Sequence, residues 1–236
     1  MSKKILFCFT ISGGKADFFD SISKYLESDI EVVKLEYAGH GERYREPFYQ
    51  TLEELVDDLY PVIREKVQKK EVAYSFLGYS LGSIVASAMA QNIMKKREIG
   101  APEALFLAAH EPKQRIELET FSDLEDNESV KKRVISFGNV PDRLIENKAY
   151  WRVYLPIYRA DFAMIGRFDF GSLERKEEIP VTVFYSEEDV SFTRIQKWDR
   201  IYKKCDYVRY SGSHFFIIEH CEKMADVIKQ KMLKEL

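Results

Sequence analysis

The pentad Gly78-Tyr79-Ser80-Leu81-Gly82 joins a short run of mostly β-favouring residues, Val72 to Leu77, to a segment of small side chains with helical spacing. Such a pentad fits a sharp strand-to-helix turn. There the serine takes a strained backbone conformation, and glycines two positions to either side let the helix and the neighbouring strand pass close by. The serine hydroxyl is thereby pushed clear of the sheet. With Gly and Ser each at about 7% of residues, the pentad alone arises by chance in on the order of one chain in ten, so its context decides. Downstream, Ile84, Val85, Ala88, Met89 and Ile93 recur at helical spacing, with Ser83, Ala86, Ser87 and Ala90 between them. That helix can lie close against a sheet. The alternative is that Ser80 is an ordinary helix N-cap.

Around this turn strand and helix patterns alternate. Lys4 to Thr10, Ile30 to Leu35 and Ala104 to Ala109 read as strands, and so do Pro180 to Tyr185 and Tyr207 to Tyr210. Asp17 to Leu26 reads as a helix with Phe18, Ile22, Tyr25 and Leu26 on one face. A second helix carries Leu52, Leu55, Val56, Leu59, Val62, Ile63 and Val67 inward, Ser191 to Tyr202 is a third, and Phe215 to Leu233 closes the chain. Alternation of this kind predicts an α/β fold, a mostly parallel sheet flanked by helices. At 236 residues, 45% apolar, one domain can bury a large core. The exception is the stretch 114–170, which shows no strand pattern. It opens with an acidic run (Glu117, Glu119, Asp123, Glu125, Asp126, Glu128) and continues in helical segments at Val130 to Phe137, Pro141 to Ile145 and Tyr150 to Ile165. It reads as a helical lid over the strand ends.

Chemistry-bearing residues fall just past predicted strands. Ser80, an acid after a late strand and a histidine after the last one occur in the chain order of α/β-hydrolases, and ligands of parallel sheets sit beyond those strand ends. Asp189 is the first candidate acid, with Glu188 and Glu187 as rivals in the same turn. His214, in the loop Ser211-Gly212-Ser213-His214, is the candidate base. His220 lies within an apolar helix, and His40, between Gly39 and Gly41, fits a structural or solvent-facing role better than a catalytic one. In such a triad His214 accepts the Ser80 proton and Asp189 fixes the imidazole. The main-chain N–H groups of Leu81 and of Ser12 (or Ile11) would hold the oxyanion. Gly13-Gly14-Lys15 is no phosphate loop, since no Ser or Thr follows Lys15.

A formal net charge of −3 offers nothing that suggests nucleic acid or an anionic membrane as a partner. Three cysteines without close spacing (Cys8, Cys205, Cys221) argue against a disulfide framework or a Cys-rich zinc site, and the four histidines lack ligand spacing, so no metal or other cofactor is expected. A reducing cytoplasm fits best. The start, Met1-Ser2-Lys3-Lys4 and then Ile5 to Ile11, has the outline of a short signal peptide but no small-x-small cleavage site, and reads as a first buried strand. Locally, basic charge gathers at Lys131, Lys132, Arg133, Arg143, Lys148, Arg152, Arg159 and Arg167. That is either a set of solvated helix faces or a docking surface for an acidic partner.

Over essentially its whole length the chain resembles the type II thioesterases of nonribosomal peptide and polyketide synthesis. The resemblance rests on Phe9 to Phe19, Gly39-His40-Gly41-Glu42-Arg43, Leu77 to Gly82, and Tyr150 to Asp169 with its Arg159-Ala160-Asp161-Phe162. Pro180 to Asp189 and Gly212-Ser213-His214-Phe215-Phe216 complete it. It implies an α/β-hydrolase fold, Ser80 as nucleophile, Asp189 as acid, His214 as base, and Leu81 and Ser12 as oxyanion donors. The implied reaction is hydrolysis of acyl or aminoacyl thioesters from the phosphopantetheine arms of carrier proteins. Carriers of this kind are acidic, so Lys131, Lys132 and Arg133 become docking candidates. Two departures stand out: Thr10-Ile11-Ser12 replaces the family's Pro-His-Ala, and Ala109-His110 replaces a Ser-Gly. A monomer is expected. The competing readings are a carboxylester hydrolase with the same triad, a releasing thioesterase, disfavoured by the lack of a carrier segment, and a non-catalytic hydrolase-fold binding protein.

Overall fold

The computed structural model describes residues 3–70, 72–112, 126–138, 140–173 and 178–233. Its centre is one six-stranded sheet in the order β2-β1-β3-β4-β5-β6, with every neighbouring pair parallel. The strands are β1 (Ile5–Phe9), β2 (Glu31–Leu35), β3 (Tyr74–Tyr79), β4 (Leu105–Ala108), β5 (Val181–Ser186) and β6 (Cys205–Tyr210). Sequence and position agree. The four inner strands are buried along their whole length, as sheets covered on both faces require. Strands β2 and β6, at the edges, mix charged with apolar residues and are only partly buried.

The pleat divides the core in two. Ile5, Phe7 and Phe9 of β1 point to one face and pack in the cluster that holds Tyr74, Phe76, Leu105, Val181 and Val183, while Leu6 and Cys8 point to the other with Leu77, Tyr79, Phe106 and Phe184. The first face is covered by α2 (Leu52–Lys70) and α3 (Leu81–Lys96), the second by α1 (Asp20–Leu26) and α8 (Phe216–Leu233). Among the described residues no helix is long and apolar enough to cross a membrane.

Several boundaries differ from the sequence expectation. The helix expected from Asp17 begins with a 3₁₀ turn, Ala16–Phe19, which turns Phe19 into the core and leaves Tyr25 on the surface. Val62 of α2 likewise faces solvent. The helix expected over Ser191 to Tyr202 is broken into α7 (Phe192–Ile195) and a 3₁₀ segment, Gln196–Arg200, yet Ile195, Trp198 and Ile201 are buried as their spacing requires. Helix α8 kinks at His220.

Between β4 and β5 the described residues hold no strand, only α4 (Asn127–Ser136), α5 (Asp142–Ile145), α6 (Lys148–Arg167) and a 3₁₀ turn, Phe170–Leu173. The expected acidic run at Glu117, Glu119, Asp123 and Glu125 lies outside the described residues. Asp126 caps α4 by accepting from the N–H groups of Glu128 and Ser129, and Asn147 caps α6 by accepting from Tyr150. Val130 and Val134 of α4 and Trp151, Phe162, Met164 and Ile165 of α6 are buried against the core.

Candidate active site

The turn after β3 has the strain its sequence implies. Ser80 sits at φ 53°, ψ −117°, a region that costs a non-glycine residue about 1–3 kcal/mol. The flanking glycines are there for space. A Cβ on Gly78 would lie 2.2 Å from the Gly82 carbonyl oxygen, and one on Gly82 would lie 1.8 Å from that of Phe9. Any side chain at either position would push α3 off the sheet. The turn is pinned by the Ser80 N–H, which donates to the Ala108 carbonyl at 2.8 Å.

The structure brings Ser80, His214 and Asp189 together at the carboxyl ends of β3, β6 and β5. Ser80 Oγ is 3.0 Å from His214 Nε2, and His214 Nδ1 is 2.9 Å from Asp189 Oδ1. Asp189 Oδ2 is buried with no hydrogen-bond partner among the described residues. The hydrogen-bonding capacity of the carboxylate is thus directed at the imidazole. Of the rival acids, Glu188 accepts from the Gly212 N–H at 3.0 Å and Glu187 from the Phe192 N–H at 3.3 Å, so both brace the loops around the pair. His220 packs on Tyr210 and contacts the Ser211 carbonyl, away from Ser80.

Sequence reasoning missed the residues that hold the histidine loop. The Tyr79 hydroxyl, next to the nucleophile, donates to the His214 carbonyl at 2.8 Å and accepts from the Ile217 N–H. The Ser186 hydroxyl donates to the Gly212 carbonyl at 2.5 Å, tying the acid turn to the histidine loop. Phe137, at the end of α4, stacks on the His214 ring at 4.6 Å and 28°. The only early signal was local: Tyr79 lies inside the pentad.

A cleft of about 360 Å³ opens over Ser80, with Ser12, His110, Arg133, Phe137 and Arg194 in its wall. A smaller cavity of about 30 Å³ shares Ser12, Ser80, Phe137 and His214 and adds an apolar side from Ile11, Val134, Val140, Tyr158 and Phe215. Ser12 thus lies beside Ser80 in both. Leu81 is the first residue of α3, where N–H groups lack an intrahelical acceptor and the helix dipole is positive.

The three basic docking candidates do not share a face, because consecutive helical residues point about 100° apart. Lys131 pairs with Glu128 and lies near the Trp151 ring. Lys132 is exposed. Arg133, also exposed overall, lines the cleft with its guanidinium over the Phe137 ring, and its partial burial there, then the charge of Arg194, hold its pKa below the ordinary value. The expected departure near Ala109-His110 does fall in the cleft wall.

A strained serine, a histidine and a largely buried carboxylate at the ends of a parallel sheet are the arrangement that α/β-hydrolases use for acyl transfer. Residues 4–232 match the thioesterase domain family, and the chain belongs to it; it is a hydrolase acting on thioester bonds. It is similar to the gramicidin S biosynthesis protein GrsT of Aneurinibacillus migulanus, 23% identical over 98% of this chain and 90% of that one. The medium-chain S-acyl fatty acid synthase thioesterase of Rattus norvegicus is 28% identical, over 91% and 81%. Among solved structures, ClbQ from the colibactin NRPS/PKS pathway superposes with a TM-score of 0.87 at 24% identity, covering 98% of both chains.

Proposed function

We propose that this thioesterase clears acyl or aminoacyl groups from the phosphopantetheine arms of carrier proteins in nonribosomal peptide or polyketide synthesis, acting as a cytoplasmic monomer. The observation that carries the chemistry is the Ser80 hydroxyl 3.0 Å from an imidazole that a buried carboxylate holds in place. His214 Nε2 takes the Ser80 proton as Oγ attacks the thioester carbonyl. Asp189 keeps the Nδ1–H tautomer and balances the imidazolium. The N–H groups of Leu81 and Ser12 hold the tetrahedral oxyanion. Because a thiol has a pKa of about 8.5, the thiolate leaves with little acid assistance. The departing sulfur takes up the proton that His214 holds and leaves as the thiol, which restores the neutral imidazole; water, deprotonated by His214, then attacks the acyl-Ser80 ester, and that proton passes to Ser80 Oγ as the acid leaves.

The carrier as substrate draws support from the relatives, which include a gramicidin S biosynthesis protein, and from the cleft wall. Arg133 gives one side of the cleft a positive charge suited to a phosphate-bearing arm, Arg194 beside it being ion-paired with the buried Glu111, while Ile11, Val134, Val140 and Phe215 offer an apolar seat for the acyl group. The test compares kcat/KM for an acyl-carrier protein, the matching acyl-pantetheine and a p-nitrophenyl ester of the same acid. A carrier preference well over tenfold, more than about 1.4 kcal/mol of transition-state binding, is expected. Preference for the simple ester would make the protein a carboxylester hydrolase.

A further inference from the structure

Three segments that the acyl-transfer chemistry leaves unused meet at one buried point: Gly13 after β1, His40 after β2 and Asp161 in α6. Asp161 Oδ2 accepts from the Gly13 N–H at 2.7 Å and lies 3.1 Å from His40 Nε2. The two side chains are only 2% and 5% exposed. His40 Nδ1 lies 3.0 Å from the Ala38 carbonyl oxygen. Both ring nitrogens therefore face acceptors. A neutral imidazole has a single N–H, so only the imidazolium satisfies both contacts, with Asp161 as its counter-ion.

The surroundings agree with a charged pair. Burial lowers the His40 pKa, but the hydrogen bond and charge of Asp161, then the Ala38 carbonyl and Glu36, raise it above its ordinary value. Besides Asp161 and Glu36, the titratable groups facing the pair are Tyr37, whose ring meets His40 edge-on, and Tyr158 on α6. Burial pushes both phenols up, so they stay neutral.

We propose that Asp161 and His40 are positioning residues of the oxyanion hole: the pair clamps the Gly13 N–H and so fixes the Ser12 N–H, one residue earlier, toward the acyl oxygen. Helix α6 bears on this loop a second time through the Tyr158 ring, which fills the space a Cβ on Gly13 would need. On the other side of Ser12 the loop is held by the Tyr37 hydroxyl, which donates to the Thr10 carbonyl at 3.2 Å. Helix α6 thus braces the loop that carries Ser12 through two separate side chains, Asp161 and Tyr158.

The proposal rests on acyl transfer through Ser80 and is independent of the carrier as substrate, so it is tested on a p-nitrophenyl ester. Asp161→Asn is expected to lower kcat about 10²-fold, the scale of losing one oxyanion donor, with KM within about twofold. Affinity for a trifluoromethyl ketone, which forms an oxyanion on Ser80, should fall by the same factor. Affinity for the matching ether, which has no carbonyl, should not change. A kcat within about twofold of wild type, a rise in KM alone, or an equal loss for ketone and ether would each overturn the positioning role. If Asp161→Asn melts below the assay temperature, His40→Gln decides: a kcat loss of about tenfold or more at constant KM supports the clamp, and a smaller loss overturns it. A wild-type protein that neither hydrolyses the ester nor labels at Ser80 with a fluorophosphonate would instead overturn the acyl-transfer reading and, with it, the clamp.

Discussion

Among the described residues two histidine–carboxylate pairs are largely shielded from solvent, and the third partner separates their roles. His214 touches Asp189 through Nδ1 at 2.9 Å and turns Nε2 to the Ser80 hydroxyl, a group able to donate. His40 touches Asp161 through Nε2 at 3.1 Å and turns Nδ1 to the Ala38 carbonyl, which only accepts. The first ring can rest neutral with a lone pair facing a proton. The second satisfies its surroundings only when fully protonated, and a full imidazolium cannot act as a base. Residue type and burial are nearly the same in the two places; what lies across the ring decides between base and brace.

The sharpest way to break this contrast is the same isosteric change in both pairs. Asp189→Asn should lower kcat about 10⁴-fold, because an amide favours the wrong imidazole tautomer at an unchanged geometry. Asp161→Asn should cost only about 10²-fold, through a displaced donor. Equal losses, read by steady-state kinetics, would mean that the two pairs are not distinguished as argued.

A second test uses pH. The His40 pKa is raised in the folded chain, so the stabilisation from its charge is fully present below the unfolded value of about 6.5 and is lost as pH rises through the folded value. Asp161, Glu36, Tyr37 and Tyr158 remain in the variant His40→Gln, so the difference reads the loss of the His40 charge together with its effect on Glu36, whose pKa that charge lowers. Urea midpoints should therefore show wild type most favoured over His40→Gln at pH near 6, with the gap narrowing as pH rises. A gap that widens would mark His40 as buried and neutral.

The smallest effect lies away from both pairs. Arg133→Ala should lower kcat/KM about tenfold for the carrier thioester and less than about twofold for the p-nitrophenyl ester, while Lys131→Ala, already paired with Glu128, should change neither beyond about twofold. Equal responses of the two substrates to Arg133→Ala would detach the cleft cation from carrier recognition.

Much of the fold was legible because its signals are local. Continuous apolar runs such as Ile5 to Phe9 mark strands covered on both faces, and Gly78 and Gly82 flag a turn whose close contacts admit no side chain. The chain order of Ser80, Asp189 and His214 then placed three side chains at strand ends that the parallel sheet brings together. What was not legible depends on contacts between distant segments. His40 and Asp161 are 121 positions apart, and no periodicity relates a loop after β2 to a helix over the strand ends. The stacking of Phe137 on His214 is hidden for the same reason. Lys131, Lys132 and Arg133 looked like one patch because sequence adjacency was read as spatial adjacency, which a helix does not allow. Tyr25 is left on the surface by the 3₁₀ turn that opens its helix, a local change of register that apolar spacing does not reveal.

The central claim is that Ser80 transfers an acyl group from a carrier to water, and the most direct measurement follows the carrier itself. Acyl-carrier protein is incubated with wild type or Ser80→Ala, and intact-mass spectrometry reads the fraction returned to the free phosphopantetheine thiol. The account predicts full conversion by wild type, a rate at least about 10⁴-fold lower for Ser80→Ala, and similar melting temperatures for the two. Conversion by Ser80→Ala at the wild-type rate, or a carrier left acylated by a wild-type enzyme that still cleaves the p-nitrophenyl ester, would contradict it.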